Sequence, residues 1–415
     1  MFSRRLFLKS SAIAMVGTST APAWLSRALY AAAPSSALSS RKKILVAIFQ
    51  RGAMDGLNVV VPHAEKAYYA LRPNLAIPRP DGTPDSAIDL DGFFGLHPSL
   101  SPMKQIYNNG HLAIVHAVGS PDPTRSHFDA QDYMESGTPG LKSTGDGWLN
   151  RALAPEKTIS PVRAVSLGPE LPRALRGHNQ AVAIDNLNDF KVKDTRGASA
   201  FENMYAGSHD QVLNGTGREA FDAVKQVQAI DKQPYTPAGN AHYPSGKLGQ
   251  NLMQIARLIK ANVGLEVAFT DVGGWDHHVN EVGAKSTVGQ LANLLTDFGQ
   301  ALTAFYLDLG DRMADVTVVS MSEFGRTAKE NGTRGTDHGH ANVMFAFGGG
   351  IQGGKIYGDW PGMEREQLYE QRDLNLTTDF RDVLGELVTR HLGNRSIASV
   401  FPGYDQPKFR GLITS

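Results

Sequence analysis

Residues 316–354, VTVVSMSEFGRTAKENGTRGTDHGHANVMFAFGGGIQGG, hold two apolar runs separated by a polar loop. The first run reads as a strand buried on both faces, and it delivers Glu323. The loop carries Asp337, His338 and His340, and the second run closes on glycines. Strands that empty into polar, Gly-rich loops are how an α/β protein displays a catalytic or metal site, at the carboxyl ends of its strands.

Working outward, other strand-like runs end the same way. Ile44 to Phe49, inside KKILVAIFQRGAMDGLNVVVP, empties into Arg51, Gly52 and Asp55-Gly56. Asp55 reads either as a turn former or as a carboxylate set just past the first core strand. The run HLAIVHAVG opens into SPDPTRSHFDAQDYMESG, where Ser126 precedes Asp129 with the spacing of a helix cap. Ser126 is then either a plain cap or a hydroxyl at a helix N-terminus, where backbone N–H groups favour an anion; Arg125 and His127 flank it. Val263 to Thr270 ends in TDVGGWDHHVNE, which brings Asp271, Asp276, His277 and His278 close together. A lone histidine is more often structural than a ligand. Two adjacent histidines with two aspartates at a strand end point to a metal or catalytic role.

Between the strands, apolar spacing predicts helices over 96–107, 248–260, 288–311 and 379–391. This alternation, with no repeat at solenoid or propeller periods, argues for one α/β domain over 44–415 with a mostly parallel sheet covered on both faces. Residues 177–239 read as a helical insertion or cap. With 41 basic and 41 acidic side chains the chain has no net charge, so nucleic acid and anionic membranes are not expected partners. The absence of cysteine removes disulfides, thiolate ligands and thiol nucleophiles together.

Ser3 to Lys9, SRRLFLK, is a twin-arginine pattern followed by a weakly apolar stretch and Ala31, Ala32, Ala33. Residues 1–33 therefore read as a twin-arginine signal peptide and 34–43 as a Ser-rich linker. Gly17, Pro22 and Arg27 break the apolar stretch well short of the roughly 20 residues of a membrane span. Cleavage would remove Arg4, Arg5, Lys9 and Arg27 and leave 41 − 4 = 37 basic against 41 acidic side chains. The expected protein is periplasmic or secreted, with the twin-arginine translocase as its partner in export and no span retained.

Collected, the strand-end carboxylates, imidazoles and single hydroxyl suit zinc, manganese or a two-metal centre. The leader and the motifs quoted above, extended through FTDVGGWDHHVN and VVSMSEFGRTAKENGTRGTDHGHANVMFAFGGGIQGGKIYG, resemble the twin-arginine-exported domain-of-unknown-function family 1501 over nearly the whole mature chain. That family is grouped by similarity with alkaline phosphatases and sulfatases. The resemblance implies an alkaline-phosphatase-like three-layer α/β/α sandwich and one or two divalent ions, zinc, manganese or calcium. It also implies a small-molecule or polysaccharide ester of phosphate or sulfate as substrate. By motif, Asp55 resembles the first metal ligand and Ser126 the nucleophile, with Arg51 or Arg125 neutralising developing charge and His127 alongside. Asp271 with His277 or His278 resembles the pair that holds the second metal, and Asp276 stands beside them. His338 or His340 resembles the last histidine ligand. Glu323-Phe324 occupies the place of an Asp-His pair, a departure for which Asp337 would compensate. Which of the four histidines are ligands stays open. Two rival readings are a hydrolase attacking with water, and a non-catalytic binding or assembly protein that keeps the sandwich.

Overall fold

Alternation along the first strand, β1 (Ile44–Gln50), divides the molecule. Ile44, Val46 and Ile48 enter one core and Leu45, Ala47 and Phe49 the other. A strand apolar on both faces must be covered on both, which places it in the middle of a layered fold. The computed structural model describes residues 41–155, 160–187, 223, 225, 227, 230 and 234–413. The signal peptide, residues 34–40 of the linker and most of the 177–239 insertion lie outside the described residues.

β2 (Val60–Val61), β3 (Ile88–Asp89) and β4 (Gly95–Leu96) form a small antiparallel sheet. β5 (Leu112–Gly119), β6 (Ala164–Leu167), β7 (Val182–Ile184), β8 (Val267–Val272), β9 (Val316–Met321), β10 (Asn342–Gly348) and β11 (Lys355–Tyr357) join β1 in the main sheet. Its order is β11-β5-β10-β9-β1-β8-β6-β7, with β12 (Thr378–Asp379) also on β5. β1 pairs in parallel with β8 and β9, whereas β10 runs antiparallel to both β9 and β5. The other pairs of this sheet are parallel. The reversal at β10 matters for the site. Residues that precede β10 arrive at the same sheet edge as residues that follow β1, β5, β8 and β9.

The helices Lys247–Lys260 and Gln290–Leu309 cover one face through Leu252, Ile255, Leu295 and Phe298. Trp148–Ala152 and Phe380–Glu386 cover the other through Trp148, Phe380 and Leu384. The fold is thus α/β, a mostly parallel sheet between helical layers. The helices expected over 248–260 and 288–311 form within two residues of those bounds. The stretch expected as one helix over 96–107 is split into a 3₁₀ segment, Pro98–Met103, and an α-helical turn, Lys104–Asn108. Pro102 lacks the N–H that a continuous α-helix needs there. Over 379–391 the helix widens to a π turn at Leu387. Among the described residues, no helix is long and apolar enough to cross a membrane.

Three histidines are built into the core as neutral bases. His116 Nδ1 accepts the Ala117 N–H at 2.9 Å while Nε2 donates to the Val60 carbonyl at 3.1 Å. His97 Nδ1 accepts the Ser99 N–H at 3.1 Å, and His391 Nε2 donates to the Ile44 carbonyl at 2.9 Å. Burial pushes all three down to about 4. A base depressed in this way contributes stability that is complete above its unfolded pKa, about 6.5 for histidine, and is lost as pH falls toward the folded value. We expect the urea midpoint to hold from neutral pH to about 6.5 and to fall below it, each histidine contributing on the order of 3 kcal/mol. His116→Gln keeps a donor and an acceptor but cannot gain the proton, so its midpoint should fall less steeply. Identical slopes for the two proteins would refute this account.

Candidate metal centre

Four side chains converge at the carboxyl edge of the sheet. His127 is the first residue of the helix His127–Ser136, which follows β5. Asp276 and His278 lie in the loop after β8, and His338 lies in the loop that enters β10. His127 Nε2 is 3.0 Å from His338 Nε2 and 3.5 Å from Asp276 Oδ2. His278 Nε2 is 2.9 Å from His338 Nε2 and 3.1 Å from Asp276 Oδ1. Ligand atoms of His127, Asp276 and His338 all fall within 4.8 Å of one another, and His278 stands beside two of them, His338 and Asp276.

The opposite nitrogen of each ring decides what the converging atoms are. His127 Nδ1 meets Glu323 Oε1 at 2.8 Å, and His278 Nδ1 meets Asp337 Oδ1 at 3.1 Å. His338 Nδ1 meets the Arg125 carbonyl oxygen at 2.9 Å. A carboxylate or carbonyl oxygen only accepts, so each Nδ1 carries a proton, and in its neutral form each ring turns an Nε2 lone pair inward. Three lone pairs and a carboxylate facing one another are an electrostatically poor cluster. A proton can bridge one pair of rings, whereas a divalent cation can be shared by His127, Asp276 and His338 together. That donor chemistry fits a metal ligated by these three, with His278 beside two of them as the candidate fourth, each histidine held by a partner behind it.

The charges are consistent with this arrangement. Burial would raise Glu323, but the His127 and Gln131 side chains and the Gly52 N–H hold it below the usual carboxylate range. Asp276, also raised by burial, is held low by Arg326, whose Nη2 lies 2.6 Å from Oδ1. Burial likewise opposes the lowering of Asp337, which His278 and Asn331 produce. The Glu323 hydrogen bond lifts His127, whereas burial and then the neighbouring His127 charge lower His338. A proton and a metal would compete for the same lone pairs.

Glycine makes the crossing of these loops feasible. A Cβ at Gly339 would stand 2.4 Å from the Arg326 carbonyl, and one at Gly335 2.4 Å from that of His278. Phe324 lies over the centre, its ring centroid 4.9 Å from that of His127 and 5.1 Å from that of His338.

The remaining residues singled out in the sequence sit elsewhere. Asp55 is buried in an ion pair with Arg72, with Oδ1 3.0 Å from Nη2, and it is not part of the cluster formed by His127, Asp276 and His338. Asp271 is taken by Arg51 at 2.7 Å and Lys247 at 2.9 Å. Arg51 also binds Gln131 and Glu135, and Arg125 binds Asp373 and Glu370. His277 is buried with Nδ1 lacking a partner, and burial pushes it down to about 4. His340 stacks on Tyr369 at 4.6 Å. Ser126 caps its helix, with Oγ accepting the Asp129 N–H at 3.4 Å. Gln131 and Arg326 were not singled out in the sequence. Gln131 could have been found, because it lies four residues after His127 on the same helical face as Glu135.

Fold and site together define an α/β protein with an imidazole-rich, metal-type centre at the edge of its sheet. The chain belongs to the family described as protein of unknown function (DUF1501), whose model matches residues 42–397. No curated protein matched the chain. Among solved structures, it is similar to the PH0037 protein from Pyrococcus horikoshii, at 12% identity over 85% of this chain and 97% of that one, with a TM-score of 0.34. It is also similar to the PsFucS1 sulfatase from Pseudoalteromonas sp., at 12% identity over 89% and 74%, with a TM-score of 0.37. For the alkaline phosphatase of the Antarctic bacterium TAB5 the values are 12%, 74% and 92%, with a TM-score of 0.28. Superpositions this partial leave the chemistry to rest on the chain's own residues.

Metal analysis of purified variants checks the assignment. His338→Ala and Asp276→Asn should lose bound divalent metal, and Glu323→Gln should weaken its binding about 10–100-fold. Asp55→Asn should keep it in the folded fraction while destabilising the fold by about 3–5 kcal/mol, because Arg72 is left buried and unpaired. Metal retained by His338→Ala, or lost from folded Asp55→Asn, would reverse these roles.

Proposed function

We propose that the chain is an exported, metal-dependent hydrolase of phosphate or sulfate esters that attacks with water rather than with Ser126. The observation carrying this reading is the convergence of three inward-facing imidazole Nε2 atoms and the Asp276 carboxylate. Such a donor set suits zinc or manganese, whereas calcium prefers six to eight oxygen ligands. His127, Asp276 and His338 offer ligand atoms within 4.8 Å of one another, in keeping with one ion. Bound there, it would polarise the ester oxygen and lower the pKa of a water molecule.

The protein's own groups supply the rest. The side chains of Asp276 and His278 are 45% and 39% exposed, which leaves the centre accessible to substrate. The helix starts at His127, so the partial positive charge of its amino end adds to the attraction for an anionic ester. Glu323, Asp337 and the Arg125 carbonyl keep the rings from turning. Among the described residues, no carboxylate or imidazole lies within hydrogen-bonding distance of Ser126 Oγ to take its proton, and both ring nitrogens of His127 are already engaged. Its position at the helix start favours a covalent route as the second reading. The twin-arginine leader is what supports export to the periplasm or beyond.

Metal-loaded protein offered a panel of aryl phosphate and sulfate esters should hydrolyse members of one class. His338→Ala and Asp276→Asn should reduce kcat/KM on the order of a hundredfold or more. Ser126→Ala should stay within about threefold of wild type, since a cap is lost but no nucleophile. Loss of all turnover in a metal-replete Ser126→Ala protein would instead establish the covalent route. Metal-loaded wild type inert toward both ester classes would overturn the hydrolase reading.

A further inference from the structure

The helix that presents His127 to the metal centre also borders a pocket of about 420 Å³, which none of the four proposed ligands lines. The two are neighbours through one chain of contacts. Arg51, in the pocket wall, donates to Gln131, and Gln131 donates to Glu323 behind His127. Two hydrogen bonds thus connect the pocket wall to the carboxylate behind His127.

Two observations fix the chemistry of that molecule. Phe128, next in sequence to the ligand His127, lines the pocket with 90% of its surface exposed. An aromatic ring left in water forfeits its burial energy, and it offers a flat, electron-rich face to polarised C–H bonds. The wall around it is strongly polar yet balanced. Arg51 and Lys247 meet Asp271, Arg51 also meets Glu135, and Arg173 meets Asp132. Arg176 and Glu170 bring the lining to four cations and four carboxylates, a net charge of 4 − 4 = 0. A wall of this kind carries no net charge that would favour an anion. Its closely spaced donors and acceptors match adjacent hydroxyl groups, which donate and accept together.

We propose that this pocket is a subsite for a neutral sugar ring or short glycan, stacked on Phe128 and held through its hydroxyls by the balanced wall. The proposal deepens the hydrolase reading and rests on it only for the ester that the glycan would carry. The subsite binds independently of the metal.

The test is titration calorimetry of the full chain against a panel of neutral oligosaccharides, with inorganic phosphate, inorganic sulfate and sulfated glycans as parallel probes. At least one neutral oligosaccharide should bind, with equal affinity for wild type and for His338→Ala. Phe128→Ala should weaken it about tenfold, and Phe128→Tyr should restore it. Failure of the whole neutral panel, affinity unchanged in Phe128→Ala, or binding confined to phosphate, sulfate or sulfated glycans would each overturn the subsite. Glycan binding without ester hydrolysis would leave the subsite standing and remove the hydrolase reading, and the reverse result would remove the subsite alone.

Discussion

Three imidazole lone pairs held around one point repel one another, and much of the sheet edge is organised to keep them there. A histidine ring free to turn about its side-chain bonds would relieve the repulsion by swinging away. Here each ring is pinned through Nδ1, to Glu323, Asp337 or the Arg125 carbonyl. The pinning groups come from different elements, so the orientation of the donors is a property of the packed molecule rather than of any one loop. Arg326 supplies the mechanical link. Fully surrounded by protein, its guanidinium donates to the carbonyls of Ala53, Gly52 and Thr336 as well as to Asp276. A planar fork of five N–H groups does this where a lysine could not.

Phe324 takes its meaning from this arrangement. Beside Glu323 it interrupts the Asp-His pair that the family resemblance leads one to expect. In the fold it is buried with Ala53 and Ala130 and lies against the rings of His127 and His338. It gives one side of the cluster an apolar wall. Glu323, 1% exposed, meets Nδ1 of His127, on the side of the ring away from His338.

Much of this was legible in the sequence, because burial writes itself into apolar runs. Ile44 to Phe49 and Val316 to Met321 read as strands buried on both faces and are so. The polar residues at their ends identified the edge where the centre lies, and Asp276, His278 and His338 meet there. Pairing across the chain was not legible. Asp55, Asp271 and Asp276 look alike in the sequence; in the fold all three meet an arginine, Arg51 reaching Asp271 from 220 residues away, and only Asp276 also faces His127 and His338. Direction was hidden as well. An apolar run does not say which way it points, so the reversal of β10, which turns residues before a strand into neighbours of residues after one, had to be seen. His127 was noticed for its place beside Ser126. Its own role depends on Glu323, 196 positions further on.

The Arg125 contacts carry a consequence for how the protein is made. The Arg125 carbonyl orients His338, 213 residues later, while the Arg125 side chain is fastened to Asp373, 248 residues later. A nascent chain that stops short of this region lacks both contacts. The groups that meet Arg125 and His338 therefore come together only after most of the polypeptide has been made, so the assembly of this sheet edge is written into the order of the residues.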